Sequence, residues 1–446
     1  MWMTPPSSTH RWLALLLPLL ALLAATCGPP PASPPATVRP RGLTASPPPS
    51  VRPAAVAATP SASPTAPGPS GWRHFTTADG LGSNDVLAIR ATDISSTGIE
   101  NACITYGSPL AHTVWVGSAG GGLSWWDGTT WQTVTHATPG VKLAADTIPA
   151  LFIMPRGRIL IGTSAGLSTH CPNKESLLWQ FSPLVWQPPT SAVQAIAVVN
   201  NSHWYGLSDG VHGMWQGKEV FTFTPAQGLG AADVRALVGD ALLPYSHVWA
   251  GTWGGGITLF DAASRPYRLR RTFTAATSGL GGDRITSLAI DPRSPTDHRV
   301  LWVGFAADPG TGQPGGVSRY EFNMAHPTDG VWQTFLGDGN VLPAASVQAI
   351  AVDSSGDVWV GTTAGLVRRA AEGSAWTVYT AANTGGQLGA DSVSAIGIAP
   401  DGTRWFGTRG GGVTALRGPP PPPLTITPTP TPAAQQFLPL LHRGDN

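Results

Sequence analysis

The chain has 446 residues, of which 42% are apolar and only 11% charged, with 54 Gly and 44 Pro. That supplies a sizeable core but interrupts it too often for a helical protein, and it predicts many short strands joined by turns. A net charge of +1 and three scattered lysines, Lys142, Lys174 and Lys218, create no field that would gather phosphates, which argues against nucleic acid as a partner.

At the amino end, His10 and Arg11 precede an apolar run over residues 12–23 that Pro18 breaks. The run is too short to span a bilayer and suits a secretory signal, so residues 1–26 are expected to be removed on export. It ends Leu23-Ala24-Ala25-Thr26-Cys27-Gly28, which resembles the lipobox of bacterial lipoproteins. The resemblance implies lipidation of Cys27, and with it a membrane link through a lipid anchor only. An ordinary secretory signal with Cys27 as an incidental thiol is the other reading. Residues 27–71 are dominated by Pro, Ala, Ser and Thr. Such a tract buries too little apolar surface to fold, and as an extended stalk at ~3 Å per residue it reaches on the order of 100 Å.

Two short motifs then recur. The first is Val86-Leu87-Ala88-Ile89, repeated with inner members beginning at Ile148, Val193, Val234, Ile285, Val347 and Val393, and its third place is always Ala or Ser. The second is Trp115-Val116-Gly117-Ser118, repeated from Leu160, Trp204, Trp249, Trp302, Trp359 and Trp405 with Gly always third. Repeats at this spacing predict an all-β, seven-bladed β-propeller of four-stranded antiparallel blades over residues 72–417. Small side chains suit innermost strands converging on an axis, and Gly lets a neighbouring backbone approach while the preceding ring wedges between blades. Outer strands are expected over residues 131–135, 179–181, 220–224, 270–274, 332–335 and 376–380, which leaves the last blade without one. Trp72-Arg73-His74-Phe75-Thr76 has the missing pattern and should pair beside Val413-Thr414-Ala415-Leu416, closing the ring. Residues 418–446 form a second Pro/Thr-rich tract whose apolar end, Phe437-Leu438-Pro439-Leu440-Leu441, is too short to span a membrane. Arg443-Gly444-Asp445 matches an adhesion tripeptide, for which chance is sufficient explanation.

The unit from Val347 to Leu366, Val-Gln-Ala-Ile-Ala-Val-Asp-Ser-Ser-Gly-Asp-Val-Trp-Val-Gly-Thr-Thr-Ala-Gly-Leu, resembles the two-component regulator propeller repeat. Members of that family often form the periplasmic sensor regions of membrane histidine kinases, many of which respond to oligosaccharides. The resemblance implies an extracytoplasmic propeller that recognises something. The sequence shows no membrane-spanning or kinase segment after the propeller to go with it.

Loops entering the inner strands and loops leaving the Gly-containing strands should share one face around the channel mouth, the expected ligand site. After the second motif the next residue is Ala119, Ser164, Ser208, Trp253, Ala306, Thr363 or Arg409, so Trp253 and Arg409 break a small-residue habit. They lie three blades apart, and an indole with a guanidinium suits a sugar or an acidic group. Gln194, Arg235 and Gln348, the polar second residues of inner strands, are expected nearby. The alternative is that Trp253 covers a loop and Arg409 is a solvated charge. Asp85, Asp146, Asp233, Asp283 and Asp391 recur before inner strands, where turn formation accounts for them better than a cation site. His112, His203, His247 and His298 share no register, so no metal site and no cofactor are expected. Cys103 and Cys171 fall on loops of adjacent blades facing the same way, which makes a disulfide feasible in an exported protein.

These features together predict a monomeric, non-catalytic, surface-tethered binding propeller for a carbohydrate or a partner protein, with a sensor accessory as its setting. One rival is a propeller lyase or hydrolase gathering His or Glu groups at the mouth, similar in architecture to streptogramin lyases. The other is an assembly scaffold.

Overall fold

The computed structural model describes residues 71–92, 113–154, 157–171, 191–215, 219–263, 265–339, 342–343, 345–371 and 375–420. The expected signal segment, stalk and carboxyl tail lie outside the described residues, as do Cys27, Cys103, His112 and the outer strand expected at 179–181.

Seven antiparallel sheets follow one another along the chain. Blade one comprises Val86–Ala91, Val114–Ser118, Leu123–Trp126 and Trp131–Val134, and the same meander repeats through blade six. Three strands are described for blade two, Ala150–Ile153, Ile159–Thr163 and Gly166–His170. Blade seven is completed from the other end of the chain. Trp72–Phe75 pairs antiparallel with Gly412–Leu416, placing Trp72 opposite Leu416 and Phe75 opposite Val413. The expected closure is therefore present, and it removes the open edge that an unclosed ring would offer.

The two motifs meet in register. Ala88, Ala150, Ala195, Ala236, Ser287, Ala349 and Ala395 stand opposite Gly117, Gly162, Gly206, Gly251, Gly304, Gly361 and Gly407. Each of these glycines also meets the next blade. A Cβ on Gly117, Gly162 or Gly361 would lie 2.5 Å from the carbonyl oxygen of Ile148, Val193 or Val393, and one on Gly407 would lie 2.3 Å from Val86 Cγ1. The last blade thus packs on the first as every blade packs on its successor. Between them stand the rings, with Trp115, Trp204, Trp249 and Trp359 at most 1% exposed. Each removes on the order of 200 Å² from water, which makes these seams the core.

The threonines of the outer strands hold the mouth loops. Thr272 Oγ1 donates to Gly228 O at 2.9 Å, while Gly230 N donates to Thr258 Oγ1, itself 2.9 Å from Thr272 Oγ1. The same relay joins Thr133, Ser124, Gly80 and Gly82 in blade one, and Thr334, Ser318, Gly279 and Gly281 in blade five. Two buried ion pairs bind neighbouring blades. Arg299 reaches Asp240 Oδ1 at 2.8 Å, and Arg404 reaches Asp353 Oδ2 at 2.7 Å. Their value lies in full hydrogen bonding, since a buried charge without a partner is strongly destabilising.

Candidate functional site

The inner strands of all seven blades enclose a central channel of about 370 Å³. In five of them the antiparallel register slips by one residue at the second place, between Val86 and Ala88, Val234 and Ala236, Ile285 and Ser287, Val347 and Ala349, and Val393 and Ala395. Such a bulge re-aims the extra residue out of the sheet. The second places, Leu87, Pro149, Gln194, Arg235, Thr286, Gln348 and Ser394, all line the channel. Polar groups fill the arc from blade three to blade seven, while Leu87 and Pro149 make the remaining arc apolar. Gln194, Arg235 and Gln348 therefore stand together on one cavity.

Trp253 and Arg409 occupy equivalent places on the rim. Trp253 N donates to Asp233 O and Arg409 N to Ser392 O, both at 2.8 Å, so each is tied to the loop entering its own blade. Each is followed by three glycines, and the middle one packs against that loop. A Cβ on Gly255 would stand 2.1 Å from the carbonyl carbon of Gly230, and one on Gly411 would stand 2.4 Å from that of Gly389. Both rim residues thus sit on backbone turns too tight for any side chain.

Their partners differ. The Arg235 guanidinium lies 3.7 Å from the centroid of the Trp253 ring, and that of Arg284 lies 5.3 Å away. Asp233 fixes Arg235 through contacts of 2.9 and 2.8 Å and accepts from Gln194 Nε2 at 2.9 Å. Arg284 in turn pairs with Asp308 Oδ1 at 3.0 Å, on the 306–316 excursion of blade five. A continuous polar chain therefore runs from Gln194 through Asp233, Arg235, Trp253 and Arg284 to Asp308. Part of the indole face is consequently covered by arginine. Arg409, 46% exposed, pairs with Asp85 of blade one at 3.2 Å, and Gln348 Oε1 accepts from Ser392 Oγ at 3.4 Å. The side-chain contacts tie Trp253 to blades four and five and Arg409 to blade one, and among the described residues no bond joins the two across the mouth.

The other aspartates of the recurring set cap backbone. Asp146, Asp283 and Asp391 accept from the backbone N of His136, Ala275 and Ala381 at 2.7, 2.7 and 2.6 Å. Asp146 also contacts His136 Nδ1 at 2.5 Å. Burial lowers the pKa of His203 and His247, whereas His298 is exposed beside Glu321. No group of three potential metal-ligating His, Cys, Asp or Glu side chains forms among the described residues. Cys171 is disulfide-bonded, and its expected partner Cys103 lies outside the described residues.

Sequence reasoning missed Arg90, Arg284 and Asp308. For Arg90 a signal existed. Counted from the start of each inner strand, the fifth place holds Arg90 in blade one and Phe152, Ala197, Val238, Ala289, Ala351 or Gly397 elsewhere.

Residues 341–364 match the family described as Two component regulator propeller. Among solved structures, the extracellular domain of the putative hybrid two component system BT3049 from B. thetaiotaomicron is similar at 18% identity and a TM-score of 0.58, covering 78% of this chain and 41% of that one. PorZ, a surface component of the type-IX secretion system of Porphyromonas gingivalis, is similar at 16% identity and a TM-score of 0.51, covering 77% of this chain and 48% of that one. A streptogramin B lyase is similar at 15% identity and a TM-score of 0.51, covering 78% of this chain and 97% of that one. The chain thus spans less than half of the first two proteins, and at identities this low the likeness establishes the common fold alone. No curated protein matches the chain. With its closed ring of seven sheets, this chain is a β-propeller, one stretch of which, residues 341–364, matches the two component regulator propeller repeat.

Proposed function

We propose that this protein is an exported, non-catalytic binding propeller that takes a carbohydrate at the mouth of its central channel. The observation that carries the reading is the two-sided mouth: Gln194, Arg235, Thr286, Gln348 and Ser394 face Leu87 and Pro149 across one cavity. Saccharides present hydroxyls at the ring edge and C–H groups on the ring face, which such a mouth would meet with hydrogen bonds on one side and apolar contact on the other. Trp253 would act chiefly by holding Arg235 and Arg284 in place, with its uncovered surface available for stacking. Lipidation at Cys27 and a stalk over residues 27–71 would hold the monomeric head away from a membrane, where a sensor accessory would need it.

A partner protein is the second reading, supported by the 306–316 excursion. Its tip at 309–312 is exposed, and its base is pinned by Asp308 to Arg284 and by Gln313 Nε2 to Gly281 O at 3.0 Å. A glycan array followed by calorimetry on the array's best ligand tests the first reading. Arg235→Ala and Trp253→Ala should each weaken that ligand by about tenfold or more, the scale of one lost charged hydrogen bond. Unchanged binding by both variants would remove the mouth as the site.

A further inference from the structure

Arg90 lies inside the channel on a strand whose equivalents carry apolar or small residues at that place. Its Nε donates to Leu151 O of blade two at 3.2 Å, and among the described residues its terminal nitrogens make no further bond. Strands from all seven blades line the channel with it, and the Arg90 side chain is exposed to the channel water. The rim arginine Arg235 is neutralised by Asp233, but among the described residues no Asp or Glu lines the channel. A guanidinium that faces confined channel water with no acidic side chain beside it leaves its planar fork free to hold an oxyanion.

We propose that the channel is an anion site in which the terminal nitrogens of Arg90 hold the carboxylate, sulfate or phosphate group of a ligand entering from the mouth. This rests on the channel-mouth reading and sharpens it to an acidic ligand. The fifth place of an inner strand lies about 10 Å beyond the second, at ~3.3 Å per residue. A monosaccharide-sized body can therefore lie against Gln194, Gln348 and Ser394 while its acidic group reaches Arg90. The planar fork of the guanidinium offers two parallel donors, which suits a bidentate oxyanion.

Calorimetry of the full chain with glucuronate, glucose 6-sulfate, glucose and inorganic sulfate tests this, for wild type, Arg90→Gln and Arg90→Lys. The account expects an acidic sugar to bind at least tenfold more tightly than glucose. Arg90→Gln should abolish that preference, and Arg90→Lys should keep part of it. Binding of inorganic sulfate alone, equally lost in Arg90→Gln, would support the anion site and show that the sugar body adds nothing. Glucose binding that persists with no acidic preference, or acidic binding unaffected in Arg90→Gln, would overturn the inference while leaving the mouth reading intact. Melting temperatures of the variants identify any that fail to fold, and Arg90→Lys then stands as the readable one.

Discussion

Gly230, in the loop entering blade four, and Gly255, in the turn after Trp253, touch backbone to backbone. A Cβ on Gly230 would stand 2.0 Å from Gly255 O. No rotamer change relieves a clash with backbone, so the loop itself would have to move. Gly255→Ala should cost about 1–3 kcal/mol of stability. It should also shift Trp253 away from Arg235, read as a change in tryptophan emission alongside urea unfolding. An unchanged midpoint and spectrum would mean that the turn is looser than described.

Trp72 is 2% exposed between Tyr379 and Phe406, with ring centroids at 5.9 and 6.0 Å, and its strand closes the ring. Trp72→Ala should lower stability by about 3–5 kcal/mol, as for other fully buried rings. Deleting residues 71–76 should open the edge of blade seven and cause concentration-dependent association, visible by light scattering. A deletion variant that stays monomeric with an unchanged midpoint would contradict closure by this strand.

Much of this was legible in the sequence, and the reasons are geometric. Ala or Ser three places into one motif and Gly three places into the next are required in every blade, because those residues face each other where the next blade arrives. Periodicity therefore exposed the ring, its closure and the second-place residues Gln194, Arg235 and Gln348. What it did not expose was pairing across blades. That Arg235 would cover Trp253, or that Arg409 would turn to Asp85, depends on side-chain directions between neighbouring sheets. Arg90 escaped notice because a single arginine in an apolar strand carries no repeat, although its departure from the fifth-place pattern was readable.

Acid should destabilise the fold in two stages. Burial lowers the pKa of His170 from 6.5 to about 4, so the unfolded chain binds its proton first and stability falls as pH drops from about 6.5 to about 4. Burial pushes the Asp353 carboxyl up, but hydrogen bonds from Trp359, Ser355 and Arg404 outweigh it and hold the pKa below the ordinary value. Its contribution is present above the unfolded carboxylate pKa and is lost as pH falls through the folded one. Urea midpoints across pH 7 to 3 should decline through both ranges. In Arg404→Met the lower decline should shrink. A flat midpoint from pH 7 to 4.5 would refute the histidine part.

Cys171 is disulfide-bonded. Non-reducing peptide mapping should recover it joined to Cys103, with Cys27 left for lipid. Reduction should then lower the melting temperature, by a margin corresponding to about 2–4 kcal/mol. A Cys27–Cys171 peptide would refute the assignment and exclude lipidation on the thiol of Cys27.

The central claim is that ligand enters the channel between the second-place residues. Gln348 lines the channel at one of the register slips, a position that holds Leu87 or Arg235 in other blades, so Gln348→Trp should fill the mouth without disturbing the seams. Calorimetry with the best glycan from the array, on wild type and Gln348→Trp of equal melting temperature, is the most direct measurement. The account predicts binding by wild type and none detectable by the plugged variant; equal affinity in both would contradict it.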